Sequence, residues 1–191
     1  MKICILCAGS LGCAIGGVLT EAGHGVWLIN RNADQVEAMN RRGLILRDQG
    51  IDRTVAVRAA TLAQDAGMVA LVIVLVKSFH TGQAMQAAMS LIGPDTVVLS
   101  LQNGVGHVNI GTKGKDTHIG ELDGRMTERV QRIAALFNAA GLLTLVSGIR
   151  LSITEPNHAC RFTCCAAPRG GRALLGAARW ERLHNVCLKH P

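Results

Sequence analysis

Short apolar runs alternate with segments of helical spacing through the first hundred residues. Lys2–Cys7 is a continuous apolar run, the form of a strand buried on both faces. Small and apolar residues at helical spacing over Ser10–Ala22 predict a helix, and Gly25–Asn30 (GVWLIN) reads as a second strand. Ala33–Arg42 is polar and helical, with Gly43 as its stop. Leu44–Arg47 and Thr54–Arg58 alternate enough to predict a short hairpin. The uncharged, β-branched run Met68–Val76 predicts a central strand, Gly82–Leu91 a helix, Gly93-Pro94 a turn and Thr96–Leu101 another buried strand. This strand–helix–strand rhythm implies an α/β fold, a doubly wound and mostly parallel sheet with helices on both faces.

Beyond Gly106 the pattern thins. Lys113–Gly120 predicts one strand and Leu142–Val146 another. Between them Thr127–Ala140 is amphipathic, with Val130, Ile133, Ala134, Phe137 and Ala140 on one side. From Arg150 onward no period is sustained. The expected division is therefore a domain over 1–149 and a poorly ordered tail over 150–191, with the boundary near Ser147–Arg150.

Charge sharpens that division. The net charge is +7, but residues 1–149 hold 13 Lys/Arg against 11 Asp/Glu, whereas 150–191 hold 7 against 2. The basic character belongs to the tail, which argues against nucleic-acid binding by the whole chain, as does the absence of tyrosine. The longest strongly apolar run, Met68–Val76, is too short to span a bilayer, and the glycines at 9, 12, 16 and 17 argue against a signal peptide. Seven cysteines in no secreted-type spacing read as reduced thiols of a cytoplasmic protein.

The candidate chemistry sits at the first strand–helix junction. Cys7-Ala8-Gly9-Ser10-Leu11-Gly12 lies where a dinucleotide-binding turn would carry G-x-G-x-x-G. Its second and third glycines are present as Gly9 and Gly12, and Cys7 replaces the first. The second glycine lets a pyrophosphate approach the backbone, and the third lets helix and strand pack closely. The anion then meets free N–H groups at the positive helix end. At the tip of the second strand an acid would bind the 2′-hydroxyl of NAD; here Ile29-Asn30-Arg31-Asn32 offers Arg31, which suits the 2′-phosphate of NADP. Lys77 ends the central strand and is expected at the same crevice.

Two thiol readings compete with this one. Cys4 and Cys7 form C-x-x-C, but residues three apart on a strand point to opposite faces and would not meet. His158, Cys160, Cys164, Cys165, His184 and Cys187 can be drawn as a zinc site, but their spacing fits no established pattern. No metal is expected.

With these motifs placed, the chain resembles the ketopantoate reductase (2-dehydropantoate 2-reductase) family. The resemblance is carried by MKICILCAGSLGCAIGGVLTEAGHGVWLINR, LVKSFHT and LSLQNGVGH, and it resumes over GKDTHIGELDGRMTERVQRIAALFNAAGL. It implies a Rossmann-like N-terminal domain, a C-terminal helical domain, and NADPH-dependent reduction of 2-dehydropantoate to pantoate for coenzyme A synthesis. By the same resemblance Cys7 to Gly12 form the glycine loop, and Arg31 and Lys77 contact the NADP phosphate. Asn103 stands beside the nicotinamide and the substrate, a small 2-keto acid. A homodimer is compatible with this reading. Between His107 and Gly114 the chain is shorter than the family pattern, as an internal deletion would leave it. Nothing after Arg150 resembles the helical domain that carries the family's catalytic lysine, so no catalytic residue is assigned. The alternative expectation is an NADP-binding module without turnover, or a truncated product.

Overall fold

The computed structural model describes residues 1–48, 50–77, 80–101, 117–121, 125–146 and 160–166. Its strands are β1 (Lys2–Leu6), β2 (Gly25–Ile29), β3 (Leu44–Asp48), β4 (Ile51–Val55), β5 (Arg58–Ala60), β6 (Leu71–Val74), β7 (Val97–Ser100), β8 (Thr117–Glu121), β9 (Thr144–Val146) and β10 (Cys160–Ala166). The helices are α1 (Ser10–Glu21), α2 (Ala33–Arg42), α3 (Thr81–Ala87) and α4 (Glu128–Ala139). Eight strands form one sheet in the order β5-β2-β1-β6-β7-β10-β8-β9, while β3 and β4 pair separately. Every pairing in the large sheet is parallel except that of β10 with β7.

Alternation along the central strands divides the core. Ile3 and Ile5 of β1, Leu71 and Ile73 of β6 and Leu99 of β7 face one cluster. Cys4, Leu6, Val72, Val74 and Val98 face the other. The first cluster is covered by Ile15 and Leu19 of α1, Met39 of α2 and Val130, Ile133 and Phe137 of α4. The second is covered by Met85 of α3, with Ala63, Ala66, Ala88 and Leu91 from two 3-10 turns and their flanks. Burial on both faces explains why these strands read as unbroken apolar runs. Each fully buried Leu or Ile contributes roughly 1.5–3 kcal/mol. Among the described residues no helix is long and apolar enough to cross a membrane.

The hairpin differs from expectation. Its second strand is Ile51–Val55, and Arg58–Ala60 leaves it to pair with β2 as the edge of the main sheet. Ala56 and Val57, which belong to neither strand, separate two strands that a single run of alternation had merged. The expected helix Gly82–Leu91 also divides, into α3 and a 3-10 turn at Met89–Leu91. The tighter turn sets Ala88 and Leu91 one above the other, and both are fully buried. The expected strand Met68–Val76 narrows to β6, although Ala70 N–H still donates to Lys2 O at 3.0 Å and Leu75 N–H to Leu6 O at 3.1 Å.

Past the expected boundary near 147–150, β10 lies between β7 and β8, so the sheet continues across that point. Its sequence CRFTCCA carries too weak a pattern to read as a strand, and its place in the sheet comes from partners distant in the chain. The interval 107–114 and the rest of 150–191 lie outside the described residues.

Both sheet edges are closed by asparagine side chains. Asn40 of α2 donates to Ala59 O at 2.9 Å and accepts from Ala59 N–H at 2.8 Å. Asn138 of α4 does the same for Thr144, at 2.8 Å in both directions. Each carboxamide supplies the donor and acceptor of an absent strand, satisfying an edge residue that is almost fully buried. At the other end of α4, buried Glu121 accepts a two-point bond from Arg129 at 2.5 and 2.7 Å and a third from Thr127 Oγ1 at 2.5 Å, fastening β8 to the helix start. Replacing Asn40 by alanine leaves both Ala59 groups without these partners and is expected to cost about 1–3 kcal/mol. Chemical denaturation of Asn40→Ala beside the unsubstituted chain checks this, and an unchanged midpoint would show that water replaces the carboxamide at no cost.

Candidate functional site

Parallel strands bring their C-terminal ends to one sheet edge. Leu6 of β1 pairs with Ile29 of β2 on one side and Val74 of β6 on the other. The residues following these three strands therefore emerge side by side: the Cys7–Gly12 loop from β1, Asn30-Arg31 from β2 and the segment to Lys77 from β6. The strand order reverses direction between β1 and β6, the switch point where open α/β sheets leave a crevice for ligands.

The loop turns sharply at its first residue. Cys7 has φ +73°, the only positive φ on a non-glycine residue among those described. This left-handed backbone suits glycine, and for cysteine it costs on the order of 1–2 kcal/mol. Gly9 N–H donates to Cys7 O at 2.8 Å and Ala8 N–H donates to Ile29 O at 2.8 Å, which sets the loop against β2.

Each remaining glycine answers a separate need. A Cβ on Gly12 would stand 2.8 Å from Cys7 O and 3.2 Å from Ile5 Cγ2, so only glycine lets α1 start this close to β1. A Cβ on Gly9 would meet nothing within 4 Å, which leaves the outer side of the loop open to an approaching group. Gly9 is also the N-cap of α1, with no side-chain cap and no acidic residue in the first turn. In the first intrahelical bond Cys13 N–H donates to Gly9 O at 2.8 Å. Ser10, Leu11 and Gly12 thus present first-turn N–H groups, a positive end suited to a phosphate.

Arg31 and Lys77 are both exposed at this edge, and among the described residues neither is held in an ion pair. Asn103 lies outside the described residues. Cys4 is fully buried in the core, where burial pushes its thiol up to about 12, and it faces away from exposed Cys7. Cys13 is partly buried, donates to Ala8 O at 3.3 Å, and its thiol is also raised by burial.

The group that joins the parts is Asn30, which carries no local sequence signal. The Asn30 carboxamide donates to Ala8 O at 3.0 Å and to Gln35 Oε1 at 2.7 Å, and its Oδ1 accepts from Asn32 N–H at 3.0 Å. Asn32 in turn caps α2, accepting from Gln35 N–H at 3.1 Å. The first partner of Asn30 lies 22 residues earlier in the chain, beyond the reach of any local pattern.

Comparison with known proteins places this geometry. The family model described as "Ketopantoate reductase PanE/ApbA" matches residues 3–117. The chain is 34% identical over 173 residues to 2-dehydropantoate 2-reductase of Pyrococcus horikoshii, covering 77% of this chain and 56% of that one. It is 30% identical over 171 residues to the enzyme of the same name from Mesorhizobium japonicum, covering 82% and 52%. The crystal structure of a PanE/ApbA family ketopantoate reductase from Ralstonia eutropha JMP134 superimposes with a TM-score of 0.66 at 31% identity, over 77% of this chain and 56% of that chain. The chain thus spans about half the length of the curated relatives it matches.

The strain at Cys7 has a measurable consequence. Cys7→Gly removes the left-handed penalty and adds some unfolded-state entropy, for a net gain of about 1 kcal/mol. A rise in the denaturation midpoint is the expected outcome; a fall would show that the loop accommodates cysteine without strain.

Proposed function

The chain belongs to the ketopantoate reductase PanE/ApbA family, and on that premise we propose that it binds NADPH at the Cys7–Gly12 loop and serves the reduction of 2-dehydropantoate to pantoate. The observation that carries this reading is the convergence of the loop, Arg31 and Lys77 at the C-terminal ends of β1, β2 and β6. The residues fit the dinucleotide. Ser10, Leu11 and Gly12 offer N–H groups to the pyrophosphate, and the open space outside Gly9 admits it. The guanidinium of Arg31 can grip a 2′-phosphate through two parallel bonds, and Lys77 adds a point charge. No acid follows β2 to select an unphosphorylated ribose.

When bound, the cofactor supplies the hydride that reduces the keto carbon. The chain's part is to hold and orient. Asn103, from Gln102-Asn103-Gly104, is assigned to orient the carboxamide or a substrate oxygen without adding charge. The reading places the chain in the cytoplasm, a compartment that keeps thiols such as Cys4, Cys7 and Cys13 reduced.

A second reading is binding without turnover. It is compatible with a chain that spans about half the length of its curated relatives, and it differs measurably from the first because general acid catalysis contributes about 10²–10⁴-fold. Steady-state reduction of 2-dehydropantoate by the 191-residue chain separates the two: turnover in the ordinary enzymatic range, on the order of 1–10³ per second, supports the first and removes the second.

Cofactor choice is tested by titrating the chain with NADPH and NADH. Charged hydrogen bonds contribute roughly 1.5–3 kcal/mol, so NADPH is expected to bind about ten- to a hundredfold more tightly. Arg31→Ala should remove most of that preference and leave NADH affinity nearly unchanged. Equal affinities in the unsubstituted chain would overturn the assignment of NADPH.

A further inference from the structure

We propose that Asn30 is a positioning residue for cofactor selection: its carboxamide holds the Arg31 segment at a set place relative to the Cys7–Gly12 loop, so that the guanidinium meets a 2′-phosphate while the loop holds the pyrophosphate. The proposal rests on the NADPH reading above and names the device that makes Arg31 selective.

Both N–H groups and the oxygen of the Asn30 side chain are engaged, each to a different segment. One N–H goes to the glycine loop at Ala8 O, the other to the first turn of α2 at Gln35 Oε1, and Oδ1 takes the N–H of Asn32. Arg31 is the single residue between Asn30 and Asn32, so its Cα is fixed from both sides. Asn32 is held again by its cap to Gln35 N–H, and Asn30 N–H by Ala60 O at 3.0 Å. The Arg31 side chain itself is exposed. Its reach toward a ligand is therefore decided by where its backbone stands.

Loss of the carboxamide falls unequally on the two halves of the site. The glycine loop keeps Ala8 N–H to Ile29 O, Gly9 N–H to Cys7 O and the Cys13 thiol on Ala8 O. The Arg31 segment loses the carboxamide's bonds to Ala8 O, Asn32 N–H and Gln35 Oε1, and with the first of them its only side-chain tie to the loop among the described residues, while the Asn32 cap on Gln35 N–H and the bond from Asn30 N–H to Ala60 O remain. A ligand lacking the 2′-phosphate uses only the loop and should barely sense the change. A ligand carrying it should lose the aligned guanidinium. No other residue type at position 30 supplies two donors and one acceptor at this reach: aspartate has no donor and alanine has neither.

The experiment is a paired titration of NADPH and NADH against the full chain, Asn30→Ala and Gln35→Ala, with melting temperatures recorded for each. The expected result is that Asn30→Ala weakens NADPH five- to tenfold and leaves NADH within about twofold. Gln35→Ala, on the exposed face of α2, should weaken NADPH two- to threefold with NADH unchanged. If NADPH and NADH weaken by the same factor in Asn30→Ala, the side chain merely supports the loop and the proposal is overturned. If Asn30→Ala does not fold, Gln35→Ala decides alone, and an unchanged NADPH-to-NADH ratio there overturns the proposal. A preference for NADPH in the unsubstituted chain that Arg31→Ala abolishes and these variants leave intact sinks the role of Asn30 while the NADPH reading stands. Equal affinities for both cofactors in the unsubstituted chain remove that reading and this proposal together.

Discussion

The close approach of α1 to β1 and β2 is the constraint on which the rest of the structure depends. At Gly12 the helix stands near enough to Cys7 O that a methyl group would collide. One turn later a Cβ on Gly16 would strike the side chain of Leu28, which is fully buried in β2. On the outer side Gly17 lies against Leu44 and Leu46 of the hairpin, with a Cβ there only 2.8 Å from Leu46 Cδ1. Three small positions let one helix be packed from two sides. The short distance from strand to helix then forces the left-handed turn at Cys7, because no longer path joins β1 to α1. At Gly12 the obstacle is backbone, which cannot step aside, whereas at Gly16 and Gly17 the ends of Leu28 and Leu46 would have to shift to admit an extra carbon.

That same approach decides the electrostatics of the sheet edge. A helix beginning directly after β1 aims its first-turn N–H groups across the C-terminal ends of β1 and β6. Arg31 and Lys77 add two exposed cations to this fixed positive end, and no acid enters the first turn to neutralise it. The parallel arrangement of β2, β1 and β6 does the gathering, since parallel neighbours end on the same side. A chain with only a small excess of Lys and Arg over its first 149 residues can thus present a locally cationic sheet edge.

Asparagine recurs at three places where backbone groups lack a strand or helix partner. Asn40 and Asn138 act as one-residue strands at the two sheet edges, and Asn30 bridges two loops at the site. In each case a short, uncharged side chain with both donor and acceptor satisfies backbone groups that a longer or charged residue would leave strained or overpaired. The fold can therefore close its edges and hold the Cys7–Gly12 loop without importing further structure.

How much of this was legible follows from the range of each interaction. The strands β1, β2, β6 and β7, the helices α1, α2 and α4 and the Cys7–Gly12 loop were readable because apolar runs, helical spacing, capping and glycine placement act over a few residues. Arg31 and Lys77 were readable as candidates because each follows a strand that the pattern already marked. What the sequence determined by itself is thus the set of elements, the doubly wound class and the chemistry offered at one edge. Only the tertiary structure decided that Arg58–Ala60 and Cys160–Ala166 join the sheet, that Asn40 and Asn138 close its edges, and that Asn30 ties Arg31 to the glycine loop. Those contacts join residues whose nearness is created by folding, or depend on which of a carboxamide's many possible partners the packed chain leaves within 3 Å.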